Sequence, residues 1–226
     1  MSLETQTDSR IGLALRITEI YKSVQGESTW AGLPCTFVRL ARCHLRCVWC
    51  DTAYAFHGGD SMTLEAILDR CEALECRLVE LTGGEPLVQA NCVPLAELLV
   101  ERGYTVLVET SGTLPIGTLP REVIKIMDLK CPDSGECAKN LWSNIDALSP
   151  ADEVKFVLAS RRDYEWAREA VRNHRLSERC NAVLFSPVFG SVDPKDIVDW
   201  LLADGLDVRF QLQLHKFIWP PNQKGV

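Results

Sequence analysis

Three thiols stand close together in the stretch RLARCHLRCVWCDT, Arg39 to Thr52: Cys43, Cys47 and Cys50, spaced C-x3-C-x2-C. Thiolates grouped on one loop bind soft metals or iron–sulfur clusters. A structural zinc site closes with four ligands, often from C-x2-C pairs. No fourth Cys stands at such an offset here. Cys35 falls in a strand-like run, and a ligand at His44, beside Cys43, is sterically awkward. Three thiolates without a fourth suit a four-iron cluster that leaves one iron open to a reactant.

The elements that must carry this loop follow from periodicity. Leu13–Val24 and Cys35–Leu40 read as strands on either side of the loop QGESTWAGLP. Strands and helices then alternate. MTLEAILDRCEAL (62–74) is helical with Thr63 as N-cap, RLVELTGG (77–84) a strand, CVPLAELLVERG (92–103) a helix ending at Gly103 and YTVLVET (104–110) a strand. EVIKIMDLK (122–130), EVKFVLAS (153–160), NAVLFSP (181–187) and DVRFQLQL (207–214) read as strands. RDYEWAREAVRNH (162–174) and DPKDIVDWLLADG (193–205) read as helices, and the tail IWPPNQKGV as irregular. Buried strands alternating with helices form a parallel sheet. About six such strands and four helices fall short of the eight of each that close a barrel. The expected fold is therefore an open, incomplete (β/α) barrel of class α/β. It forms one domain over residues 13–226, preceded by a flexible terminus over 1–12. Active sites of such folds lie at the C-terminal strand ends. The cysteine loop, TGGEP, ETSG, DLKCP and FSPVFG all fall there.

Composition narrows the chemistry. The chain has 226 residues, 46% hydrophobic and 24% charged, with net charge −7. Those are globular values, and the negative balance argues against general nucleic-acid binding. No run approaches the length of a membrane span, and residues 1–12 lack the apolar core of a signal peptide. Ten cysteines in a chain expected to be cytoplasmic point to metal binding or chemistry rather than disulfides. Most of those outside the triplet (Cys35, Cys71, Cys76, Cys92, Cys131, Cys137 and Cys180) are expected to be small buried hydrophobes.

The cysteine triplet, with Trp49 before its last member and LTGGEP (81–86) at the end of the next strand, resembles the radical S-adenosylmethionine (SAM) superfamily. EIYKSVQGESTWAGLPCTFVRLARCHLRCVWCDT, then LTGGEPLVQ, VETSGT and QLQLHKFIWP, resemble the 7-carboxy-7-deazaguanine synthases from about Leu15 onward. The resemblance implies a lyase that uses a [4Fe-4S] cluster, SAM and Mg2+. Such an enzyme converts 6-carboxy-5,6,7,8-tetrahydropterin to 7-carboxy-7-deazaguanine with loss of ammonia, a step toward queuosine-type nucleosides. It implies hydrogen abstraction by the SAM-derived radical, no catalytic side chain, a homodimer, and an electron donor such as flavodoxin or ferredoxin.

Residue by residue, the resemblance puts Cys43, Cys47 and Cys50 on iron and the Thr52 hydroxyl on Mg2+. Trp49, Cys50, Asp51, Gly84, Lys130 and Ser186 are assigned to SAM, with the TGG glycines letting backbone approach its methionine part. Val24, Gln25, Gly26 and Glu27 would read the pterin, whose guanidine-like edge suits a carboxylate. Arg39 would fork onto the substrate carboxylate, and Thr82, Glu109 and His215 would face substrate. The chain departs from the family at Arg42 and His44, where Gly and Asn are usual, and at DLKCPDSGEC, where Ser-Pro-Lys is expected. A glycyl-radical-enzyme activase shares the triplet and a similar DLK segment. A non-catalytic iron–sulfur or zinc module leaves TGGEP without a purpose.

Overall fold

A computed structural model of the protein describes residues 8–226. Its centre is one nine-stranded sheet in the order β3-β1-β2-β4-β5-β6-β7-β8-β9. The strands are β1 Ala14–Val24, β2 Pro34–Leu40, β3 Asp60–Thr63, β4 Leu78–Gly83, β5 Thr105–Thr110, β6 Ile124–Asp128, β7 Glu153–Leu158, β8 Ala182–Pro187 and β9 Arg209–Phe210. From β2 through β9 every neighbouring pair is parallel. β1 pairs antiparallel with β2 and β3 at one edge. The two edges do not meet, so the sheet is the expected open partial barrel.

Alternation along the strands decides which face is dry. Val79, Leu81, Val106 and Val108 point to one face, where helices α1 (Leu64–Ala73) and α2 (Cys92–Glu101) cover them. Met127, Val154, Phe156, Val183 and Phe185 do the same beneath α3 (Arg161–His174) and α4 (Pro194–Asp204). The intervening residues face the concave side. A small apolar floor there contains Cys35, Phe37, Cys76, Leu78, Leu107 and Ile126. Above it the concave face turns polar, which is where a site can form.

The expected caps hold: the Thr63 side chain accepts from Ala66 N at 3.2 Å, and Gly103 takes φ +79° just beyond α2. Two readings change. β3, a polar four-residue edge strand, lies in a stretch with no apolar alternation to announce it. The expected last strand 207–214 contracts to Arg209–Phe210, and the chain then leaves the sheet to form α5 (His215–Ile218). The end of the stretch 1–12 has local structure of its own. Ser9–Gly12 form a 3-10 turn, and Arg10 pairs with Asp8, Glu97 and Glu101. Residues 1–7 lie outside the described residues. Among the described residues the ten cysteines are free thiols, and no helix is long and apolar enough to cross a membrane.

Candidate active site

One cavity of about 420 Å³ opens at the C-terminal ends of the strands. The cysteine loop forms one wall and brings Cys43, Cys47 and Cys50 to it. The loop is tied down at several points. Cys50 N donates to Cys47 O at 3.2 Å, Val48 N to Ser134 O at 3.1 Å, and Leu45 N to Cys43 Sγ at 3.4 Å. Burial raises the Cys43 thiol and pushes Cys47 up to about 11, against the pull of nearby Lys130. An electropositive centre is needed to hold them as thiolates.

The TGG glycines serve a packing purpose. A Cβ on Gly83 would stand 2.1 Å from Leu40 O, and one on Gly84 2.1 Å from Arg42 O and 2.9 Å from Cys43 Cβ. The end of β4 therefore lies against the backbone that launches the cysteine loop, an approach only glycine permits. Glu85 N bonds Arg42 O at 2.9 Å. The buried Glu85 carboxylate then accepts from Thr110 Oγ1 at 2.8 Å and Ser111 N at 2.7 Å, joining this turn to β5.

The floor is a network of charge. Lys155 on β7 bonds Glu27 Oε2 at 2.8 Å and Glu109 Oε1. Glu109 also accepts from Thr82 Oγ1 at 3.2 Å, and Glu27 from Gln213 Nε2 at 2.8 Å. Lys130 bonds Asp128 at 2.7 Å. Glu80, bonded by the Gln25 amide, is raised well above the usual carboxylate range, first by burial and then by Glu109 and Glu27. At the rim Arg39 Nε bonds Glu19 at 2.7 Å, and its Nη2 reaches the Tyr21 hydroxyl at 3.0 Å. The Tyr54 hydroxyl donates to the same Glu19 oxygen at 2.8 Å. These bonds use only part of the guanidinium's five N–H groups.

Of the sequence-predicted residues, Val24, Gln25, Gly26, Glu27, Arg39, the three cysteines, Trp49, Asp51, Thr52, Thr82, Gly84, Glu109, Lys130 and His215 all line this cavity. Ser186 does not. It is buried, with its hydroxyl on Gln211 O at 3.3 Å, because the segment after β9 covers it. Val188 and Phe189 form that wall instead.

Known proteins resemble this chain over nearly its whole length. Residues 38–201 match the radical SAM superfamily. A 7-carboxy-7-deazaguanine synthase of Koribacter versatilis is 50% identical, the match covering 94% of this chain and 100% of the relative. One of Chlorobaculum tepidum is 44% identical over 94% and 97%. The chain belongs to the 7-carboxy-7-deazaguanine synthase family. The crystal structure of QueE from Escherichia coli, at 22% identity, covers 89% of this chain and 95% of its own with TM-score 0.75, a likeness of fold.

As a radical SAM chain of this family, the protein takes a 4Fe-4S cluster and SAM, and its thiols fit the cluster. Among the described residues no three His, Cys, Asp or Glu side chains converge on a point that one metal ion would fill. The match to the radical SAM superfamily, not geometry, is what disfavours the rival zinc module.

Sequence reasoning missed several cavity residues of this family member. Lys155 and Glu80 lie inside strands read as apolar runs, and Asp128 ends β6. The signal was present: Glu153 and Lys155 alternate with Val154 and Phe156, so one face of β7 is polar. The irregular tail was missed as a wall. Pro221–Val226 line the cavity, and Lys224 Nζ stands 4.1 Å from the Tyr54 ring centroid.

Proposed function

We propose that the protein converts 6-carboxy-5,6,7,8-tetrahydropterin to 7-carboxy-7-deazaguanine with release of ammonia, as a carbon–nitrogen lyase. The observation that carries this reading is a single cavity where the cluster cysteines face a floor of carboxylates and a rim arginine. When bound, the reduced cluster and SAM supply a 5′-deoxyadenosyl radical. The chain's own residues bind, orient and shield. Glu27 and the Gln25–Gly26 backbone accept and donate along the pterin ring, and Glu109 with its partner Thr82 lies beside Glu27, joined to it through Lys155. Arg39, held by Glu19 and Tyr21, offers its remaining N–H groups to the substrate carboxylate. The polar wall of Trp49, Asp51, Gly84 and Lys130 suits SAM.

Mg2+ belongs to the same proposal. Thr52 carries a hard hydroxyl oxygen on the cavity wall beside the exposed Asp51 carboxylate, donors of the class that Mg2+ prefers. The electron donor would be a flavodoxin or ferredoxin, the active species a homodimer, and the compartment the cytoplasm. Anaerobic reconstitution followed by incubation with SAM, the tetrahydropterin and a reductant tests the reading. Deazaguanine formation that falls at least about tenfold on chelation of Mg2+ and in Thr52→Val supports it. 5′-Deoxyadenosine formed without any deazaguanine favours the activase chemistry instead.

A further inference from the structure

Lys155 sits in the middle of β7 between Val154 and Phe156, with its side chain only 5% exposed. Its ammonium donates to Glu27 Oε2 and Glu109 Oε1 and stands 4.0 Å from Asp128 Oδ2, too far for a hydrogen bond. The two carboxylates come from distant places, the loop after β1 and the end of β5. Each has its second oxygen occupied, Glu27 by Gln213 and Glu109 by Thr82. Both groups are thus fixed in direction as well as in place. A buried ion triad of this kind is seldom needed for stability, since apolar residues fill the same volume as well or better. It needs another reason to exist.

The surroundings show what the lysine does. Burial would push Glu27 up, but Lys155 and the bonds from it and from Gln213 bring it below the usual carboxylate value. Burial would discharge Lys155, but Glu109, Glu27 and Asp128 hold it charged. Glu80, in the same concave floor but bonded by the neutral Gln25 amide, goes the other way. The other charged groups facing this network are Lys130, bonded to Asp128, and His215, lowered chiefly by its burial. An ionised carboxylate only accepts, whereas a protonated one presents an O–H to any incoming donor. A ligand edge made of N–H donors is recognised by the first state and repelled by the second.

We propose that Lys155 is a positioning residue: its two hydrogen bonds hold the Glu27 and Glu109 carboxylates in place and direction as a pair that receives the donor-rich guanidine-like edge of the substrate. The inference rests on the pterin reading of the cavity. Three variants test it in the reconstituted holoenzyme: Lys155→Met, Lys155→Arg, and Lys155→Met with Glu109→Gln, which keeps the net charge if the single change fails to fold. In Lys155→Met the KM for the tetrahydropterin rises at least about tenfold with a smaller change in kcat. The acid limb of kcat/KM moves to higher pH as Glu27 loses its partner. Infrared titration without substrate shows a carboxyl protonating at higher pH than in wild type in Lys155→Met and in the double variant. Lys155→Arg restores most of the wild-type profile. Unchanged KM, acid limb and infrared titration in either Met variant overturn the proposal. A wild-type holoenzyme that makes no deazaguanine, while the infrared difference appears, refutes the substrate reading and supports the ion pairing alone.

Discussion

Arg42 occupies a backbone position made for glycine. Its φ is +77°, its N–H donates to Ala55 O at 2.7 Å, and its carbonyl accepts from Glu85 N at 2.9 Å and lies close against Gly84. The left-handed turn carries the chain from β2 into the cysteine loop, and it forms in spite of the side chain. An L-residue there costs about 1–2 kcal/mol relative to its preferred region, part of which glycine returns through its freer unfolded chain. Arg42→Gly should therefore gain up to about 1 kcal/mol, or about 2–4 °C in melting temperature, with iron content unchanged. Arg42→Ala keeps the Cβ and should show no such gain in the same melting experiment. The departure visible in the sequence thus alters strain, not the path of the loop. His44, the second departure, points outward and bonds Thr113 Oγ1 at 2.8 Å.

At the scale of elements, the site depends on contacts between segments far apart in the chain. Gly26, in the QGE loop, lies under His215 at the start of α5. Its carbonyl accepts from Leu214 N at 2.9 Å, and a Cβ on it would stand 2.5 Å from His215 Nδ1. Gly26→Ala should lift α5 off the loop and disturb Glu27, Gln213 and His215 together. A rise in KM of about tenfold or more, with iron content preserved, is expected in steady-state kinetics of the reconstituted variant. Elements with strong periodicity and a chemical stop were legible in the sequence: α1 with its Thr63 cap, α2 with Gly103, and the buried parallel strands. β3 was not, since a polar edge strand carries no burial pattern. β9 was overextended because QLQL alternates like a strand, although the Gln211 carbonyl accepts from the Ser186 hydroxyl and the Gln213 side chain turns to Glu27 instead. The motifs at strand ends were legible because they are contiguous. Lys155, Glu80 and the tail were not, because their meaning lies in what the sheet brings opposite them.

At the scale of the whole molecule, the open barrel balances a dry convex face against a concave face carrying buried charge. Glu80 gives that balance a pH signature. Its pKa is raised on folding by burial and by Glu109 and Glu27. Between its unfolded and folded values the native state binds the additional proton. Stability from this group is thus full below the ordinary carboxylate pKa and declines as pH rises through the folded value. Glu80→Gln keeps an acceptor for the Gln25 amide and removes the titration. Melting temperatures measured against pH should diverge, with the variant gaining on wild type as pH rises above the ordinary carboxylate range. Parallel curves would contradict the raised carboxyl.

The cysteine loop and the carboxylate floor together form one active site for a pterin ring contraction. The most direct test is mass-spectrometric detection of 7-carboxy-7-deazaguanine after anaerobic incubation of the reconstituted protein with SAM, reductant and 6-carboxy-5,6,7,8-tetrahydropterin, beside Cys43→Ala. Wild type should yield product and the variant none. Reduced, cluster-bearing wild type that cleaves SAM yet yields no deazaguanine would contradict it.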